Sequence, residues 1–184
     1  MDSSRSIPSP NSHTPEGGVL LGRDGAGRRM VLFEDPQCPY CRQFEEACGG
    51  VLKQARDAGT CTVEYRMRCF LGVESVRADN ALALAAEEDR FDELRTELFS
   101  SQPPEGSGGF TTADLLALGQ AVGLTSPRYV SGVEQGRYKA WVLQREEAYQ
   151  AEDPVGTPAA WLDGHQIDSR ILGDPKALGT LLRG

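Results

Sequence analysis

Apolar residues recur along this chain with two different periods, and the changes between them mark out most of its elements. Val19-Leu20-Leu21 is a short strand candidate, closed by the turn-prone segment from Arg23 to Gly27. Met30-Val31-Leu32-Phe33 is a compact apolar run that fits a buried strand and stops at Asp35-Pro36. From Pro39 to about Ala58 the period turns helical, with Phe44, Ala47, Cys48, Val51, Leu52 and Ala55 on one face. Gly49-Gly50 weakens that helix and predicts a kink there. Between Cys61 and Phe70 the chain alternates. Cys61, Val63, Tyr65, Met67 and Cys69 share one face and Thr62, Glu64, Arg66 and Arg68 the other, which predicts a strand buried on one side.

The next eighty or so residues read as helices. Ser75 to Glu88 is rich in Ala and Leu, and Phe91, Leu94 and Leu98 recur at helical spacing. A Pro/Gly loop, Gln102 to Gly109, precedes Thr111, whose spacing to Asp114 predicts a capping box. Leu115, Leu118 and Val122 extend that helix to Gly123. Ser126-Pro127 opens another, and Tyr138, Trp141, Val142 and Tyr149 mark the last long one. Ala159 to Leu162, the Asp163-Gly164 turn and His165 to Ile167 then predict a hairpin, with a short closing helix from Asp174 or Pro175. With the helical block set aside, a thioredoxin-like core remains. The expected class is α/β: a core over 18–70 and 153–184, a helical insertion over 71–152, and a Ser/Pro-rich flexible tail over 1–17.

Composition narrows the function classes. A chain of 184 residues with 39% hydrophobic and 25% charged residues is an ordinary globular one with room for a real core. A formal net charge of −8 repels nucleic-acid phosphates and anionic lipid, so neither is an expected partner, and no membrane insertion is expected. The start of the chain has no basic segment leading into an apolar run. As written it reads as cytoplasmic, or as exported if an export segment has been removed. Five cysteines cannot all pair internally and leave the compartment open.

The chemistry lies in Cys38-Pro39-Tyr40-Cys41. Disulfide exchange needs an easily ionised thiol and a second thiol close enough to expel a mixed disulfide. At a strand-to-helix junction, Cys38 lies where unpaired amides and the helix dipole favour a thiolate, and Cys41 one turn on faces back toward it. Pro39 has no amide proton to lose in the first helical turn. Cys38 is therefore the candidate nucleophile and Cys41 the resolving thiol. Zinc wants four ligands, yet there is no second such motif and only two histidines, His13 and His165. No metal and no organic cofactor is expected.

The segment Glu34-Asp35-Pro36-Gln37-Cys38-Pro39-Tyr40-Cys41, followed by Phe44-Glu45-Glu46, resembles the active-site segment of the DsbA-like family of thiol-disulfide oxidoreductases. The resemblance continues through Phe91 to Phe99, the Gln102-Pro103-Pro104-Glu105-Gly106 loop and Gly156-Thr157-Pro158, covering roughly 19–183. It implies a thioredoxin fold interrupted by a helical domain, with Pro158 a cis-proline beside the catalytic pair and Thr157 just before it. The implied activity is dithiol-disulfide exchange, with this chain as disulfide donor to cysteine-containing proteins and an unidentified redox partner resetting the motif; a monomer is expected. The chain departs from the pattern in two places. Leu32 stands where thioredoxin-like proteins often bury an acid, six residues before the first motif cysteine. Pro39-Tyr40 lacks the histidine of the best-known motif of this kind, which puts oxidising strength in question.

Glu34 and Asp35 are the nearest candidate proton acceptors, weighed against a plain reading as solvated charges. Cys48 reads as a small buried hydrophobe. Cys61 and Cys69, on one strand face about 26 Å apart at roughly 3.3 Å per residue, cannot bridge each other; either could pair with Cys48 only in a shared core. His165, Glu87-Glu88-Asp89 and Glu146-Glu147 read as solvent-facing, and Trp141, Trp161, Tyr138 and Tyr149 as core. The alternative functions are a glutaredoxin-like or thioredoxin-like reductase, a disulfide isomerase, a metal or iron-sulfur module on the two cysteines, and a peptide-binding chaperone with an idle motif.

Overall fold

A computed structural model describes residues 10, 13–23, 25–152 and 156–183. Strands β1 (Val19–Leu21) and β2 (Arg28–Glu34) lead into helix α1 (Pro39–Ala58), which returns the chain to β3 (Cys61–Met67). Helices α2 (Val73–Ala86), α3 (Phe91–Ser100), α4 (Thr112–Ala121), α5 (Pro127–Gln135) and α6 (Lys139–Glu152) follow. Then come β4 (Ala159–Leu162), β5 (His165–Gln166), α7 (Ser169–Leu172) and α8 (Pro175–Arg183). The sheet order is β1-β3-β2-β4-β5, with β2 parallel to β3 and antiparallel to β4.

Elements stand where the periodicity changes. Helix α1 begins at Pro39 because proline suits a first helical turn, runs unbroken through Gly49-Gly50, and ends on Gly59 at φ 71°. Its apolar face, Phe44, Cys48 and Leu52, shares one core with Met30 and Leu32 of β2, Val63 and Tyr65 of β3, and Leu178 and Leu182 of α8. Leu32 is wholly buried there, so its position is spent on packing. Thr111 and Asp114 close the expected capping box at the start of α4. The four-residue α7 was not foreseen; Asp168 caps it by accepting from the Arg170 amide.

The opposite face of the sheet departs from the sequence reading. Strand β3 ends at Met67 rather than Phe70, and Glu64 and Arg68, expected on a solvated face, are buried. Segment 13–17 and helix α6 cover them. Thr14 Oγ1 donates to Glu64 at 2.8 Å, and Arg29 and Arg66 donate to the same carboxylate. Arg68 binds Glu146 of α6 through two nitrogens, so Glu146 is not the solvated helix residue expected. Glu87 likewise accepts from Arg128 and the Tyr138 hydroxyl. The flexible tail expected to run through Gly17 is thus fastened over its last residues: Arg145 donates to the Gly17 carbonyl and Tyr149 to that of Glu16. Positions 1–9, 11 and 12, called part of that tail, lie outside the described residues, as do 153–155 at the expected domain boundary.

Candidate active site

The two motif cysteines sit where β2 hands over to α1. The Cys38 amide donates to the Asp35 carbonyl at 2.9 Å, closing a tight turn, and Cys38 occupies the N-cap position in extended backbone. Its own carbonyl accepts the amides of Cys41 and Arg42, which starts the helix. Cys38 is 5% exposed and Cys41 is fully buried; both pack on Phe99 of α3 and on Leu71.

The chain returns to this point 119 residues later, where the Cys38 thiol donates to the Thr157 carbonyl at 3.3 Å. The Thr157-Pro158 peptide bond is cis. Pro158, Tyr40, Phe44 and Leu172 line a cleft of about 470 Å³ beside Cys38, and Tyr40 is 65% exposed at its edge.

The two thiols are displaced in opposite directions. A hydrogen bond from the Cys41 thiol is the largest influence on Cys38, which is pulled down to about 6. Burial opposes this, while Thr157 and the amides of Cys41 and Tyr40 add to it. The Thr157 hydroxyl is buried with no hydrogen-bond partner of its own, so it is free to donate to a thiolate. Burial pushes the Cys41 thiol well above the ordinary range, and its bond to Cys38 and the Glu34 carboxylate push the same way.

Glu34 and Asp35 are both fully buried, not solvated charges. Arg95 of α3 holds both oxygens of Glu34, at 2.6 and 2.7 Å, and reaches Glu45 at 2.7 Å. Burial drives the Glu34 carboxyl up and the Arg95 contacts work against it, which makes Glu34 one half of an ion pair. Asp35 accepts from the Ser75 hydroxyl at 2.5 Å and from the amides of Gln37 and Leu71. Burial nevertheless lifts it to about 7. Asp35 thereby ties the motif turn to the Leu71 wall and to α2.

Sequence reasoning missed Arg95, Ser75, Gln37 and Gln102. Arg95 left a signal: it lies on the apolar face of α3 with Phe91, Leu94 and Leu98, where a charge needs a buried partner. The remaining cysteines do not meet. The thiols of Cys48, Cys61 and Cys69 lie against the carbonyls of Leu172, Thr62 and Val142 respectively, and none is paired. Among the described residues, no group of three or more His, Cys, Asp and Glu side chains is arranged to hold a metal ion.

A family model described as thioredoxin matches residues 14–181. The chain belongs to the thioredoxin family. Several solved structures share its fold. BdbD from Bacillus subtilis, in its oxidised form, is 21% identical with a TM-score of 0.79, and the match covers 95% of each chain. MdbA, a thiol-disulfide oxidoreductase from Actinomyces oris, is 19% identical with a TM-score of 0.79, covering 94% of this chain and 90% of that one. Reduced DsbA from Mycobacterium tuberculosis is 19% identical at a TM-score of 0.69, covering 94% and 95%. At these identities the likeness establishes a thioredoxin fold of the DsbA-like kind. A search of curated protein sequences found no match.

Proposed function

We propose that the chain is a protein thiol-disulfide oxidoreductase that donates the Cys38-Cys41 disulfide to cysteine-containing proteins. The observation that carries this reading is the split between the thiols, one pulled down to about 6 at the edge of a cleft and the other buried and pushed up. A substrate thiolate attacks the Cys38 sulfur, and Cys41 leaves and takes up a proton. A second substrate thiolate then attacks the substrate sulfur of the mixed disulfide and expels Cys38 as a thiolate. Two electrons pass from substrate to motif. The lower the pKa of the expelled thiol, the faster it leaves, so a thiolate-favouring Cys38 suits a donor. The MdbA proteins of Actinomyces oris and Corynebacterium diphtheriae, thiol-disulfide oxidoreductases of the same fold, support the same activity. No cofactor takes part, and a separate redox partner must withdraw the two electrons.

Trapping tests the assignment. Cys41→Ser protein is expected to accumulate mixed disulfides with a reduced cysteine-containing substrate in glutathione buffer, whereas Cys38→Ser protein is not. Equal trapping by both variants would remove the assigned order. A reduction potential as low as that of a reductase would replace the donor reading with a reductase one.

A further inference from the structure

The loop joining α3 to α4 is fastened to the motif turn by two side-chain amides reaching in opposite directions. Gln102 Nε2 donates to the carbonyl oxygens of Pro36 at 2.7 Å and of Cys38 at 3.0 Å. From the turn, Gln37 Oε1 accepts from the Gly106 amide at 3.0 Å, while its Nε2 donates to the Leu71 carbonyl and the Ser75 hydroxyl. Loop and turn thus brace each other.

The Gln102 bonds fall at a sensitive place. The Pro36 and Cys38 carbonyls flank Gln37, and together they set the path by which the backbone enters α1. The Cys38 carbonyl already accepts the Cys41 and Arg42 amides at 3.1 and 3.2 Å, so Gln102 adds a third donor to an oxygen that the helix start satisfies. Such a contact is not needed to close the helix, but it fixes where the first turn points. The amides of that turn, from Tyr40 and Cys41, face the Cys38 sulfur.

We propose that Gln102 is a positioning residue for Cys38: by gripping the carbonyls on both sides of Gln37, it holds the first amides of α1 aimed at the sulfur that carries charge during exchange. This rests on the oxidoreductase reading. Gln102 touches neither sulfur and acts through the turn. The other groups facing the site are the Cys41 thiol on the same helix, Thr157 against the sulfur, the Asp35 carboxyl within the turn, lifted to about 7, and, behind Cys41, Glu34 of β2 with Arg95 of α3. The Gln102 side chain bonds to none of them, only to the Pro36 and Cys38 carbonyls.

Two substitutions in the full-length protein separate positioning from mere loop packing. Gln102→Leu keeps bulk but removes both donors. Gln102→Glu keeps length and turns an oxygen toward both carbonyls, adding negative charge beside the thiolate. The readout is the pH profile of Cys38 alkylation by iodoacetamide, located by mass spectrometry in the reduced protein. The midpoint is expected to rise by about half a pH unit in the leucine variant and by about one unit in the glutamate variant. The glutathione equilibrium is expected to shift about threefold and about tenfold, respectively, toward the protein disulfide. A low midpoint in the unsubstituted protein that neither variant moves would overturn this proposal alone. An ordinary thiol midpoint in the unsubstituted protein would instead remove the functional reading beneath it.

Discussion

Arg95 grips both carboxylate oxygens of Glu34, and neither side chain is more than 1% exposed. The guanidinium also lies 5.1 Å from the centre of the Phe99 ring, and Phe99 packs on both motif cysteines. A buried ion pair adds little net stability compared with apolar residues of the same shape, but removing one partner strands the other charge. Arg95→Met is therefore expected to lower unfolding stability by about 3–5 kcal/mol in urea titration. The double variant Glu34→Leu with Arg95→Met is expected to recover most of that loss. If the single and double variants lose the same amount, the cost is packing rather than charge.

The lowered Cys38 thiol contributes stability to the reduced fold in a defined pH window. Reduction adds two thiols that the disulfide form lacks: Cys38, whose folded pKa lies near 6 against an ordinary value of 9.0, and Cys41, which burial pushes the other way. For a depressed acid the stabilisation is complete above the ordinary value and disappears as pH falls through the folded one. The Cys38 contribution to the reduced-minus-oxidised difference is expected to be absent at pH 5, about 1 kcal/mol at pH 7 after allowance for solvent screening at the cleft edge, and still rising toward pH 9, above which the raised Cys41 thiol works against it. Guanidinium unfolding of both redox forms across that range checks it. A difference that grows toward acid pH would show the thiol displaced the other way.

Thr157 separates reactivity from stability. Its hydroxyl is buried, unpartnered, and placed to favour the Cys38 thiolate. Thr157→Val replaces it with a methyl group of similar size and removes an unsatisfied polar atom. The variant is expected to unfold at the same or a slightly higher denaturant concentration, while its Cys38 titrates about half a unit to one unit higher. A stability loss above about 1 kcal/mol with an unmoved titration would show the hydroxyl to be structural.

The part of the site that could be read from the chain is the part built locally. The apolar run ending at Asp35-Pro36, the proline at the helix start and the two cysteines one turn apart lie within the twelve residues from Met30 to Cys41, and each has a local physical reason. Partners supplied from far along the chain were not legible. Glu34 meets Arg95 across 61 positions and Arg68 meets Glu146 across 78; local pattern names neither partner, and it reads Arg68 and Glu146 as solvent-facing. Thr14 and Gly17 are held by Glu64 and Arg145, so a segment whose composition reads as loose is anchored by side chains its own sequence does not contain. Gln37 and Gln102 left no signal, because an amide in a loop looks the same whether it faces water or braces a turn.

The 119 residues between Cys38 and Thr157 also impose an order of events on synthesis. When the motif leaves the ribosome, the hydroxyl that favours its thiolate has not been made, and Phe99 of α3 is still to come. Antiparallel pairing of β4 with β2 brings Thr157 to the sulfur, and that pairing waits on everything in between. A half-made chain therefore carries the two cysteines without the Thr157 hydroxyl and without the Phe99 side chain that packs beside them. The full set of groups that favours the Cys38 thiolate is assembled only once β4 has paired with β2.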